Sequence, residues 1–184
     1  MKRAGWVPLA MMLVWAATTL ARAQEATPPR NQDASVVRTT RTAELSLRLE
    51  SDVMTVYQAL TDPRQLERWF PNRAILRAKR GSRFYFRWND IKGLWRGTIT
   101  ALIPGNRLEF TWQRPGSEDA TLVNIRLIPQ GFETLVELTH SGFTSSDEME
   151  KTIKDWVFYL ENLKSVLEVG VDQRPNREAK GPTL

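Results

Sequence analysis

The sequence predicts one α+β domain in which an antiparallel sheet packs on a long C-terminal helix. Three observations carry this expectation. After Pro71, six strand-like runs recur at nearly regular spacing with turn residues between them. Their alternation makes one face apolar and aromatic-rich. A long amphipathic stretch then follows and needs a partner for its apolar stripe.

Taken in order, the first folded element is a strand, because Ala43-Glu44-Leu45-Ser46-Leu47-Arg48-Leu49 alternates apolar and polar. The period then changes to that of a helix. Val53, Val56, Tyr57 and Leu60 fall at i, i+3, i+4 and i+7 behind a cap at Ser51 or Asp52. Asp62-Pro63 fits an N-cap followed by proline at the first helical position, so a second short helix carries Leu66, Trp69 and Phe70.

The six later strands are expected at 74–78, 83–88, 95–103, 107–113, 121–128 and 133–140. Phe84, Phe86 and Trp88 share one face against Arg83, Tyr85 and Arg87, and Leu108, Phe110 and Trp112 repeat the pattern against Arg107, Glu109 and Thr111. Val123, Ile125 and Leu127, then Val136, Leu138 and His140, extend the same inner face. Ser145-Ser146-Asp147-Glu148 is a capping-box pattern. It opens a helix of roughly 35 Å that ends near Gly170. Its expected buried stripe is Ile153, Trp156, Val157, Leu160, Leu163 and Leu167.

The ends of the chain read differently. Lys2 and Arg3 precede an apolar run from Trp6 to Leu20, and Ala21-Arg22-Ala23 supplies the small-x-small pattern of a cleavage site. Residues 1–23 are therefore expected to be an export signal, leaving no stable membrane insertion after cleavage. The chain has no cysteine, so lipid attachment and disulfides are excluded and a packed core must supply stability. Residues 24–38 and 171–184 have too few large apolar side chains to offset the entropy of ordering, and are expected to be a flexible leader and a disordered tail around a domain at 39–170. The signal removes Lys2, Arg3 and Arg22 and no acidic residue, which lowers the formal charge from +5 to +2. A run of Arg73, Arg77, Lys79, Arg80 and Arg83 offers positive charge to phosphates or anionic head groups, although such runs usually form a solvated face. Nucleic acid is not an expected partner, since no aromatic RNA-binding signature or zinc-finger spacing accompanies that run.

Leu60-Thr61-Asp62-Pro63 with Leu66 and Arg68-Trp69-Phe70 resembles the first signature of the domain related to the heat-shock protein 90 ATPase activator. That family lies within the SRPBCC, or START-like, superfamily of helix-grip folds. Further matches follow in order at Gly97-Thr98-Ile99 leading to Ile103-Pro104, at Leu108-Glu109-Phe110-Thr111-Trp112, at Leu138-Thr139-His140-Ser141-Gly142-Phe143, and at Trp156, Leu160, Leu163-Lys164 and Leu167-Glu168. The resemblance implies a β-α-α-β6-α order with the sheet curved around the last helix. It also implies a space between them that in relatives is commonly a cavity for apolar or aromatic molecules. Asp155, where relatives often have glycine, bears on how closely the helix approaches the sheet.

Trp69, Phe84, Phe86, Trp88, Trp95, Phe110, Trp112, Val136, Leu138, His140, Trp156 and Leu160 are the expected ligand-binding set. The bland alternative is that these rings simply fill the core. His140, the only histidine, is expected to face inward, where it either meets a ligand or is a satisfied structural group. No cofactor is expected. No second histidine, cysteine or tight carboxylate cluster has metal-ligand spacing, and no nucleophile elbow or ordered triad is present. Asp90 and Glu137 are the remaining acid–base candidates, with Glu137 expected to face solvent. Three readings stay open: a binder of a small apolar or aromatic molecule outside the cytoplasm, an interaction module for a chaperone or stress partner, and a cyclase, dehydratase or hydrolase with one pocket acid or base.

Overall fold

The computed structural model describes residues 40–175. The expected export signal and flexible leader, and the last nine residues of the expected tail, lie outside that range. Within it run β1 (Arg41–Leu49), α1 (Val53–Thr61), α2 (Pro63–Leu66), β2 (Arg73–Ile75), β3 (Arg83–Arg87), β4 (Trp95–Ile103), β5 (Arg107–Trp112), β6 (Thr121–Gln130), β7 (Glu133–Phe143) and α3 (Ser146–Glu168). The seven strands form one antiparallel sheet in the order β1-β7-β6-β5-β4-β3-β2, curved around α3. Consecutive strands are neighbours throughout β2–β7, and β1 closes the far edge by pairing with β7.

Local chemistry explains the start of each helix. The Asp52 carboxylate accepts from the backbone N–H of Met54 and Thr55 at 3.0 and 3.1 Å, so of the two expected caps it is Asp52 that serves. Ser51 is used otherwise: its carbonyl accepts the hydroxyl of fully buried Thr134 at 2.8 Å. Asp62 caps α2 with Pro63 at the first helical position, and Ser145 caps α3.

The expected inner face is the buried one. Phe84, Phe86, Trp88, Leu108, Phe110, Val123, Ile125, Leu127, Val136 and Leu138 all belong to the core, with Trp112 half-buried beside them. The α3 stripe needs correction. Val157 is 45% exposed, and the helix buries Trp156, Tyr159, Leu160, Asn162, Leu163 and Val166. Residues 153, 157 and 160 also lie at helical spacing, so the apolar pattern alone admits a stripe rotated by one position. The rotation is set by polar bonds that spacing does not reveal. Trp156 Nε1 donates to His140 Nδ1 at 3.0 Å, and Asn162, though fully buried, donates to the Trp69 carbonyl at 2.7 Å. Near its C-terminal end α3 is tied to β1. Lys164 donates to the Arg48 carbonyl, and the Glu50 N–H donates to the Glu168 carboxylate.

Expected boundaries also move, as where β6 and β7 run on to Gln130 and Phe143. The strand expected at 74–78 is Arg73–Ile75, with Leu76 half-buried against the core beyond it. The domain does not end at Gly170. Asn162 Oδ1 accepts the Gln173 N–H at 2.6 Å, and Arg174 donates to the carbonyls of Pro71 and Glu67 while pairing with Asp172. These bonds order residues 171–175 without apolar burial, which is why composition does not reveal them.

Gly97 occupies the tightest crossing in the sheet. A Cβ there would lie 1.9 Å from the Thr111 carbonyl oxygen and 2.5 Å from the Phe84 ring, both beside the register shift between Ile99 and Ala101. Gly97→Ala is expected to cost about 3 kcal/mol, since strand backbone and a packed ring must both move. Urea unfolding checks this, and a loss under about 0.5 kcal/mol would mean that the crossing is looser than described.

Candidate functional site

The aromatic residues expected to converge do so, around a residue outside the expected set. Phe70, in the segment after α2, has ring centroids within 6.0 Å of Trp69, Phe86, Trp88, Trp112, Trp156 and Tyr159. It is placed there by its backbone. Its own carbonyl accepts from Trp88 Nε1 at 3.1 Å, and the preceding Trp69 donates its indole N–H to the Ala59 carbonyl at 2.9 Å. Both buried indoles are thus satisfied from α1 and the loop rather than from a ligand.

This cluster divides the space between sheet and helix in two. The interior keeps a cavity of only about 30 Å³, lined by Trp69, Phe70, Phe84, Phe86, Phe110, Trp156 and aliphatic neighbours. That volume is comparable to one water's share of the liquid, too little for an organic molecule. Its polar lining residue, Thr61, donates its hydroxyl to the Tyr57 carbonyl at 2.7 Å.

On the other side of Phe70 lies an open groove of about 250 Å³. Phe70, Trp88, Trp95, Trp112, Trp156 and Tyr159 form its floor and walls; Ile91, Arg114, Glu148, Lys151, Thr152 and Asp155 complete it. Trp88 and Trp95 meet edge to face at 4.9 Å. Arg114, following β5, and Glu148, in the first turn of α3, form an ion pair of 2.9 Å at the rim.

Of the expected set, Trp69, Phe84, Phe86, Phe110 and Trp156 therefore line the interior cavity, while Trp88, Trp95, Trp112 and Trp156 line the groove. Val136, Leu138, Leu160 and His140 line neither and are core residues. Phe70, Tyr159 and the charged rim were not in that set. Tyr159 lies at i+3 from Trp156, so extending the helical spacing by one step reaches it. Arg114 and Glu148 are brought together across 34 residues by the fold alone.

Both ring nitrogens of His140 have protein partners. It is fully buried, and with Nδ1 accepting from Trp156 the ring proton sits on Nε2, which donates to Thr121 Oγ1 at 2.7 Å. Thr121 passes its hydroxyl proton on to the Trp112 carbonyl at 3.1 Å. Burial lowers the His140 pKa to about 4, so the ring is neutral under ordinary conditions. The other acid–base candidates also lie elsewhere: Asp90 is exposed on the β3–β4 loop, and Glu137 pairs with Arg126 on the outer face at 3.1 Å. Among the described residues no group of three histidine or carboxylate side chains is assembled to hold a metal ion.

A neutral buried histidine makes stability depend on pH with a definite sign. The unfolded chain takes up the proton near pH 6.5 and the folded one near 4, so the stabilisation is complete above about 6.5 and is lost as pH falls toward 4. The wild type is expected to lose up to about 1.4 kcal/mol per pH unit more than His140→Gln in that window. Paired urea titrations of the two proteins check this, because the carboxylate contributions are common to both. Parallel slopes would mean that His140 is charged in the folded state.

Comparisons with known proteins agree with this architecture. A family profile described as activator of Hsp90 ATPase homolog 1-like protein matches residues 50–168. The chain is similar to the Aha1 dimer from Colwellia psychrerythraea (27% identity, TM-score 0.64, 71% of this chain and 98% of that one). It is also similar to CalU16 from Micromonospora echinospora (28% identity, TM-score 0.58, 66% and 73%). The likeness to protein MLL2253 from Mesorhizobium loti (21% identity, TM-score 0.64, 70% and 97%) is one of fold. No curated protein matches the chain. Because the profile spans well over half of the residues and covers the elements that build the aromatic cluster, the chain belongs to the activator of Hsp90 ATPase homolog 1-like family, with its helix-grip fold.

Proposed function

We propose that this chain is an exported binder of a small planar aromatic or apolar molecule, and that the molecule sits in the open groove rather than in the interior cavity. The observation that carries the reading is the groove itself: about 250 Å³ floored by six aromatic side chains. Such a surface gains from ring stacking and apolar burial, about 0.5–1.5 kcal/mol for each well-placed ring pair beyond the area buried. The rim adds orientation. Arg114, Glu148, Lys151 and Asp155 line the opening, so a polar substituent meets charge of either sign there.

Binding is favoured over turnover by what holds the titratable groups: both ring nitrogens of His140 have protein partners, and Glu148 at the groove rim is paired with Arg114. Export rests on the basic, apolar and small-x-small pattern of residues 1–23. A mass for the exported protein that begins at Gln24 supports it, and a retained Met1 would count against it.

Tryptophan emission reports directly on the groove, since four of the five tryptophans left after cleavage at Ala23 line it, Trp88, Trp95, Trp112 and Trp156. Titration with anilinonaphthalene sulfonate is expected to quench that emission saturably. Trp95→Ala, at a half-buried position, is expected to weaken binding about tenfold, equivalent to about 1.4 kcal/mol, with little loss of fold. Unchanged binding in that variant, or no saturable quenching in the wild type, would overturn the groove as the site. Native mass spectrometry of the exported protein is expected to show an added small-molecule mass.

A further inference from the structure

The outer face of the sheet is built in two electrostatic halves. Across β1, β5, β6 and β7 three outward arginines are neutralised: Arg48 pairs with Glu133, Arg107 with Glu109, and Arg126 with Glu137. Across β2, β3 and β4 the arginines are not. Among the described residues Arg83, Arg87 and Arg96 have no carboxylate within 4 Å, and Arg73 reaches only Glu67, at 3.6 Å. The register makes this costly, because Arg73 lies directly opposite Arg87, where like charges oppose pairing.

The remaining side chains of this half complete an amphipathic surface. Ile75 is 61% exposed and sits opposite Tyr85, which in turn lies opposite Arg96, so an aliphatic, an aromatic and a cationic residue form one cross-strand row. Between Arg83 and Arg96 is a cleft of about 350 Å³ walled by Tyr85, Thr98, Thr111 and Gln113. Arg96 Nε donates to Gln113, which holds the guanidinium beside the cleft and leaves its terminal nitrogens without a protein acceptor among the described residues. Lys79 and Arg80, exposed on the turn between β2 and β3, extend the positive charge.

From this we propose that the outer face of β2–β4 is a docking surface for an anionic phospholipid bilayer, with a head-group phosphate seated between Arg83 and Arg96. An array of guanidinium groups without carboxylate partners is complementary to a layer of phosphates, and guanidinium binds phosphate through parallel N–H donors. Tyr85 and exposed Ile75 suit the interfacial zone rather than water. The surface is distinct from the aromatic groove, which lies on the other side of the sheet against α3.

Co-sedimentation of the mature chain with vesicles tests the proposal. Binding is expected to vesicles of equimolar phosphatidylglycerol and phosphatidylcholine at low salt, not to pure phosphatidylcholine. It should be reversed at roughly 0.5 M salt, where the screening length is only a few ångströms. The double variant Arg83→Gln, Arg87→Gln is expected to bind at least tenfold more weakly, since each arginine near an anionic surface contributes about fivefold. The charge-matched Arg48→Gln, Arg126→Gln is expected to stay within about twofold, a contrast that net charge alone cannot produce. Equal losses in the two double variants, no binding to the anionic vesicles, or retention by a DNA duplex in preference to vesicles would each overturn the proposal. Quenching by anilinonaphthalene sulfonate should be the same in both variants, which keeps failure here distinct from failure of the groove.

Discussion

The packing of α3 depends on the Phe70 ring. Aromatic rings from β3, β5 and α3 all touch it, and the chain that delivers it comes from the α2–β2 connection. A sheet that curves around a helix leaves a wedge that neither surface can fill with its own side chains. Phe70 fills that wedge, and its carbonyl also satisfies the Trp88 indole. The short helices thus close the core as well as connecting two strands.

Polar bonds then select one arrangement among several that apolar packing would allow. Trp156 to His140 fixes how α3 is rotated about its axis, and Asn162 joins α3 to the Trp69 carbonyl and to residues 172 and 173. Buried polar groups of this kind are costly when unpaired, so each partner restricts the others. The Arg174 contacts to Glu67 and Pro71 hold the far side of the same loop. α3 and the residues that follow it therefore converge on the segment that carries Phe70, about 90 to 100 positions earlier in the sequence.

Filling the wedge has a functional consequence. It leaves an interior gap of about 30 Å³ and moves the usable space outward, where six aromatic residues meet the Arg114–Glu148 pair. It also encloses His140, whose two ring nitrogens are both spent on protein partners. The inner surface is thus specialised for apolar contact. The outer surface separates into a half with paired charges and a half in which Arg83, Arg87 and Arg96 lack carboxylate partners among the described residues.

Much of this was legible in the sequence because it depends on neighbours along the chain. Asp62-Pro63 announces a helix start, alternation at Phe84, Phe86 and Trp88 names the buried face, and the order of elements follows from turn residues. Residues far apart carry no such signal. The division of the rings between cavity and groove, the rotation that exposes Val157 and buries Tyr159, and the burial of His140 behind Trp156 each depend on which surfaces meet in space. Periodicity along the chain reports the face a side chain takes, whereas the depth of that side chain and the partner it finds are decided by tertiary packing.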